Sequence, residues 1–145
     1  MKIYLKTEVP ANYLRVFAQF DKALFEALAP PFPKPNLLRF DGSKQGDEVH
    51  IQLVLPFGIK QDWVSVITED SHNEQAAWFI DEGEKLPFFL TTWKHRHLIQ
   101  KKTENSCYII DDITFTSPFG WLLYPVLYLQ FLYRKPIYRR YFAHK

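Results

Sequence analysis

Pro118-Phe119-Gly120, followed by WLLYPVLYLQFLYRKPIYRRYF over residues 121–142, is the stretch on which the fold turns. It carries the longest helical signal in the chain. Leu122, Val126, Leu129, Tyr133 and Ile137 recur at three- and four-residue steps and form one apolar stripe. The spacing predicts a single long helix over residues 120–141, with that stripe as its buried face. Tyr124, Phe131, Tyr138 and Phe142 make a second, aromatic strip roughly opposite the first. A helix that is apolar nearly all round is buried on both sides or docks onto something, and a homodimer through this aromatic helix is one expected partner. Pro136 removes the N–H that would reach the carbonyl of Leu132, so a kink or break is expected near Arg134.

A helix with so broad an apolar face needs a sheet to bury it, and the upstream chain reads as one. In residues 2–9, Ile3, Leu5 and Thr7 alternate with Tyr4, Lys6 and Glu8, which predicts a half-buried first strand. Asn12 and Asp21 read as N-caps of two short helices over residues 13–20 and 22–29. The proline-rich run over residues 29–35 forbids helix and reads as an extended linker between layers. From Leu37 the period becomes two. Strands are expected over residues 37–40, 48–55, 61–68, 76–81, 91–99 and 107–116, with 82–85 and 101–105 as polar loops. The fold class is therefore α+β: about seven strands in a curved antiparallel sheet, two short helices after the first strand, and a long helix closing the concave side. Between helix and sheet such a design leaves room for a cavity.

At 145 residues the chain suits one domain with its own core. Aromatic residues make up 17% of it, an excess that fits a lined cavity as well as a filled core. With 18 basic and 16 acidic residues interspersed, the net charge of +2 offers no duplex-sized footprint, so nucleic acid is not an expected partner. The one membrane-like segment, residues 119–133, carries Pro125 and Gln130 and falls short of the roughly 20 apolar residues that span a bilayer. MKIYLKTEV alternates charged and apolar residues and lacks the apolar core of a signal peptide. A lone cysteine, Cys107, forms no internal disulfide. Together these lead to the expectation of a cytoplasmic protein without a transmembrane segment.

Trp93-Lys94-His95-Arg96-His97 is the most pointed motif. Residues two apart on a strand share a face, so Trp93, His95 and His97 align, and an even pairing register sets Asp111, Ile113 and Phe115 beside them. Two imidazoles and a carboxylate have the chemistry to bind a metal or move a proton. No third metal ligand is placed by the sequence, so neither a metal nor any other cofactor is expected. Asp111 and Asp112 face opposite sides and do not act on one atom. No serine lies in a nucleophile elbow, and no glycine-rich loop suits a nucleotide.

These residues carry a family resemblance. Trp93-x-His95-x-His97, Asp111-x-Ile113-x-Phe115, Pro118-Phe119-Gly120 and Phe131-x-Tyr133-Arg134 occur in an order and spacing similar to ligand-binding SRPBCC proteins. Those belong to the START-like, or helix-grip, superfamily, which includes polyketide cyclase/dehydrase-like proteins. Pro30-Pro31, Trp63 and Asp81 ahead of Pro87-Phe88 are similar too, whereas Leu86 stands where members usually show glycine. The resemblance implies a single helix-grip domain over residues 1–145 with a pocket between sheet and helix. It implies no catalytic residue set.

The function expected from the sequence is binding or carriage of a small hydrophobic or amphipathic molecule. Trp63, Phe79, Trp93, Ile113, Phe115 and Tyr133 would line the pocket, with His95, His97 and Asp111 as polar contacts. The alternatives are a cyclase- or dehydratase-type enzyme, with a histidine as acid or base, and an interaction module docking through the aromatic helix.

Overall fold

A computed structural model describes residues 1–143. The first strand, β1 (Lys2–Val9), is followed by the helices α1 (Tyr13–Ala18) and α2 (Lys22–Leu28). Six strands come next: β2 (Pro35–Phe40), β3 (Glu48–Val54), β4 (Lys60–His72), β5 (Ala76–Lys85), β6 (Thr92–Thr103) and β7 (Ser106–Thr116). The chain ends in α3 (Tyr124–Leu132) and α4 (Arg134–Phe142).

All seven strands form one antiparallel sheet in the order β1-β7-β6-β5-β4-β3-β2. The two strands that flank the first helices in sequence thus occupy opposite edges of the sheet. The chain between them crosses the face of the sheet, with α1 packed over β5, β6 and β7. Both expected caps are made: Asn12 accepts from the backbone of Leu14 and Arg15, and Asp21 from Leu24. Each satisfies N–H groups that the first helical turn leaves free.

The strands run longer than the alternation indicated. Residues 82–85, expected as a polar loop, continue β5, because β4 reaches from Lys60 to His72 and pairs with them. Two register shifts in that pair bend it. Gly83 sits beside one of them, where a Cβ would meet the Leu86 side chain at 2.5 Å, so the close approach there calls for glycine.

The C-terminal stretch is where the structure corrects the sequence. In place of one helix over 120–141 there is a 3₁₀ turn over residues 120–122, then α3 and α4 meeting at Tyr133. This is the break expected near Arg134, and Pro136, near the start of α4, accounts for it. The expected stripe is also on the wrong side. Leu122, Val126, Leu129 and Tyr133 are exposed, Leu129 to 62%, and of that stripe Ile137 alone is buried. Leu127, Phe131, Tyr138 and Phe142 face the sheet instead. Phe131, Tyr138 and Phe142 each bring to the sheet a ring that buries about 150–250 Å².

Two apolar clusters result. One joins α1, α2 and α4 through Val16, Phe20, Leu24, Tyr138 and Phe142 to Ile67, Phe79, Ile99 and Ile109 of the sheet. The other joins Leu127 and Phe131 of α3 to Ile3, Leu5, Trp93, Ile113 and Phe115.

Candidate functional site

A cavity of about 380 Å³ lies between the sheet, α2 and α3. Its sheet wall follows the alternation of the strands: Val49, Ile51 and Leu53 on β3, Trp63, Ser65 and Ile67 on β4, Phe79 and Asp81 on β5, and Trp93, His95 and His97 on β6. Opposite stand Phe20, Leu24 and Leu28 from the helix pair and Val126, Leu127 and Phe131 from α3. Pro30, Phe32, Pro33 and Pro35 close one side, so the proline-rich run read as a linker forms part of the wall.

Polar side chains gather on β5–β7, in the middle of the concave face. Phe79 pairs with His97 and Asp81 with His95 across β5 and β6, while His97 pairs with Asp111 and His95 with Ile113 across β6 and β7. The hydrogen bonds run along diagonals of this grid. His97 Nε2 bonds Asp81 Oδ2 at 2.6 Å, and His95 Nε2 bonds Asp111 Oδ1 at 2.9 Å. Both donate, since an ionised carboxylate only accepts. His95 Nδ1 then faces Asp81 Oδ2 at 3.7 Å. The Trp93 indole donates to Asp81 Oδ1 at 3.1 Å. The two imidazoles stack with centroids 3.6 Å apart, and His97 stacks on Phe79 at 4.1 Å. His97 Nδ1 has no hydrogen-bond partner among the described residues. Arg134, the first residue of α4, brings Nη1 to 3.7 Å from Asp111 Oδ1 and lies over the Phe131 ring at 4.4 Å.

Burial and pairing oppose each other in this cluster. Burial alone would raise both carboxyls, but the histidines hold Asp81 below its usual range, and His95 with Arg134 does the same for Asp111. His97 is lowered from 6.5 to about 4, first by burial and then by His95, although Asp81 pulls the other way. Burial also raises the Tyr138 hydroxyl, which stands beside Asp111 and Arg134.

Of the residues singled out from sequence, Trp63, Phe79, Trp93, His95 and His97 stand on the cavity wall. Asp111 is buried behind His95 and touches the cavity through it. Ile113 and Phe115 share the concave face but are sealed beneath α3 in the apolar cluster, away from the cavity. Tyr133 is corrected outright: at the junction of α3 and α4 it points outward, 45% exposed. The premise against a metal is corrected as well, because a third side chain able to serve as a ligand does stand beside the histidines, and it is Asp81 rather than Asp111. Sequence reasoning had the means to find Asp81: with Phe79 facing in, the residue two further along β5 must face in too. Arg134 carried a weaker signal, as a cation beside the break in an aromatic helix.

No protein-family profile matches the chain. No curated protein matches it either. Solved structures do. Truncated norcoclaurine synthase from Thalictrum flavum is 16% identical, with a TM-score of 0.69 over 100% of this chain and 95% of that one. Protein CV1439 from Chromobacterium violaceum is 13% identical, with a TM-score of 0.71 over 99% of both chains. Norcoclaurine synthase in complex with dopamine and hydroxybenzaldehyde is 13% identical, with a TM-score of 0.60 over 94% of this chain and 86% of that one. The chain thus has the helix-grip fold, the fold to which the sequence resemblance pointed. Among the described residues, no helix is long and apolar enough to cross a membrane.

Proposed function

We propose that the protein binds a small amphipathic molecule in this cavity, with its apolar body against Trp63, Trp93 and the β3 side chains. Its polar end would meet His95, His97 and Asp81. The observation that carries the reading is the asymmetry of the site, an apolar chamber whose sheet wall holds one compact polar cluster. At about 380 Å³ the chamber lies near the lower end of the roughly 300–1,000 Å³ of ligand pockets, which favours a one- or two-ring compound or a short chain over a two-tailed lipid. The dopamine and hydroxybenzaldehyde held by norcoclaurine synthase are small molecules in the same fold, and that likeness supports the size argument.

A second reading, acid–base catalysis on the bound molecule, is favoured by the two histidine–carboxylate pairs at the cavity. The same proposal sets the protein in the cytoplasm and gives the exposed Leu122, Leu129 and Tyr133 face to a second copy of the chain.

The test is native mass spectrometry on protein purified from its own host, with extraction and identification of any small molecule it carries. It is paired with titration of an environment-sensitive aromatic dye. Dye binding should quench tryptophan fluorescence, with the quench reduced in Trp93→Phe, where Trp63 remains on the wall, and should fall at least tenfold in Val49→Trp, which fills the chamber. Equal dye binding in Val49→Trp, with no molecule extracted, would end the proposal.

A further inference from the structure

We propose that Asp81, His95 and His97 form a site for one divalent transition-metal ion, of the zinc or ferrous class, on the cavity wall. One nitrogen of each histidine and a carboxylate oxygen of Asp81 lie within 4.8 Å of one another. Two imidazoles and one carboxylate are a donor set such ions take when three protein ligands leave coordination positions open. Here all three side chains stand on the cavity wall, so a small molecule in the cavity can reach the open position with an oxygen donor. That last step rests on the binding role argued above; the metal site itself does not.

The surroundings hold His95 and Asp81 by hydrogen bonds, as metal ligands commonly are, and His97 by ring packing. Metal-bound histidines commonly give their second nitrogen to a carboxylate that orients the ring, and His95 does so to Asp111, which Arg134 flanks in turn. Asp81 has its Oδ1 fixed by the Trp93 indole, leaving Oδ2 towards both histidines. The His97 ring is clamped between Phe79 and His95. Charge points the same way. Asp81 and Asp111 are two carboxylates against the single guanidinium of Arg134, so the cluster has room for further positive charge. When the ion binds, it takes the place of the hydrogen bond between His97 Nε2 and Asp81 Oδ2. The ring proton moves to Nδ1, which has no partner among the described residues, and the imidazole stays neutral.

The competing account is a proton shared within the cluster and no metal at all. Untagged protein, stripped with chelator, is titrated with Co²⁺ and then challenged with Zn²⁺, without any organic ligand. The expected result is saturation at one Co²⁺ per chain, with visible d–d bands that Zn²⁺ abolishes. Asp81→Asn and His97→Gln should each weaken binding at least a hundredfold while keeping the far-UV circular dichroism of the wild type. Asp111→Asn, which leaves all three ligands in place, should weaken it by about 10–100-fold. Wild-type protein that binds neither ion saturably, or Asp81→Asn that binds as tightly as wild type, would overturn the site. Dye binding by the stripped protein is read separately, so a failed metal site and a failed cavity are told apart.

Discussion

Exchanging Phe131 and then Leu129 for alanine tests which side of the C-terminal stretch holds the fold together. The two positions are two residues apart on α3 and carry side chains of comparable apolar character. Phe131 is 7% exposed and packs on Trp93 at 5.9 Å and on His95 at 5.3 Å, with the Arg134 guanidinium over its ring. Phe→Ala at a buried site costs about 3–5 kcal/mol, lost transfer energy plus the void left behind. The lower end applies here, because Phe131 already borders a cavity that the truncation merely enlarges. Loss of the ring pairing adds about 0.5–1.5 kcal/mol. Leu129 is mostly exposed and should cost no more than about 0.5 kcal/mol, the range of ordinary surface changes. Urea denaturation followed by circular dichroism reads both, as a shift in midpoint at constant slope. A Leu129→Ala cost equal to or above that of Phe131→Ala would mean that α3 turns its other face to the sheet, and the site geometry would fall with it.

Three further outcomes are expected. In chelator, wild-type stability should fall on acidification from about pH 6.5 towards 4, because His97 is lowered to about 4 in the folded chain and the unfolded chain therefore binds more protons in that window; a His97→Phe protein showing the same loss would contradict this. Cys107, fully buried with its thiol pushed up to about 12, should stay unmodified by a disulfide reagent in native protein and react at once in denaturant; fast native labelling would refute the packing of β7. Asn12→Ala should cost about 1 kcal/mol in denaturation for the lost cap, and a change too small to measure would show that α1 does not depend on it.

The sheet was legible because its strands alternate, and alternation survives any error in strand length. An even register, assumed for the last hairpin, set Asp111 on the face of the histidines, and the structure pairs it with His97. The C-terminal stretch was not legible in the same way. It holds apolar residues on nearly every side, so periodicity identified a helix without identifying which side is buried. That choice was made by tertiary packing, which the helical period does not report, whereas the break near Arg134 was readable from Pro136. The site was half legible for a related reason. His95 and His97 announce themselves on one strand, but Asp81 comes from another, and the strand-to-strand register that joins them is a long-range property. The proline-rich run misled most simply: its composition says extended chain, and nothing in composition says what an extended chain lies against.

The polar cluster bears most directly on function because of where it sits. It lies between two apolar clusters, at a depth where Leu, Met or Phe would have packed at lower cost. Buried ionic groups are often no more stabilising than well-packed apolar residues of similar volume, since desolvation offsets their attraction. Stability is therefore a poor explanation for two histidines, two aspartates and an arginine at this position. Two features give them a use. Four of the five reach the cavity wall, Asp81, His95 and His97 from the strands and Arg134 from the start of α4, and the fifth, Asp111, reaches His95 from behind. The break in the last helix then does more than end α3. It sets Arg134 at the start of α4, with Nη1 3.7 Å from Asp111 Oδ1. Asp111 behind and the cavity in front is the arrangement that the proposed binding role needs, whether for a ligand's polar end, a proton or a metal ion.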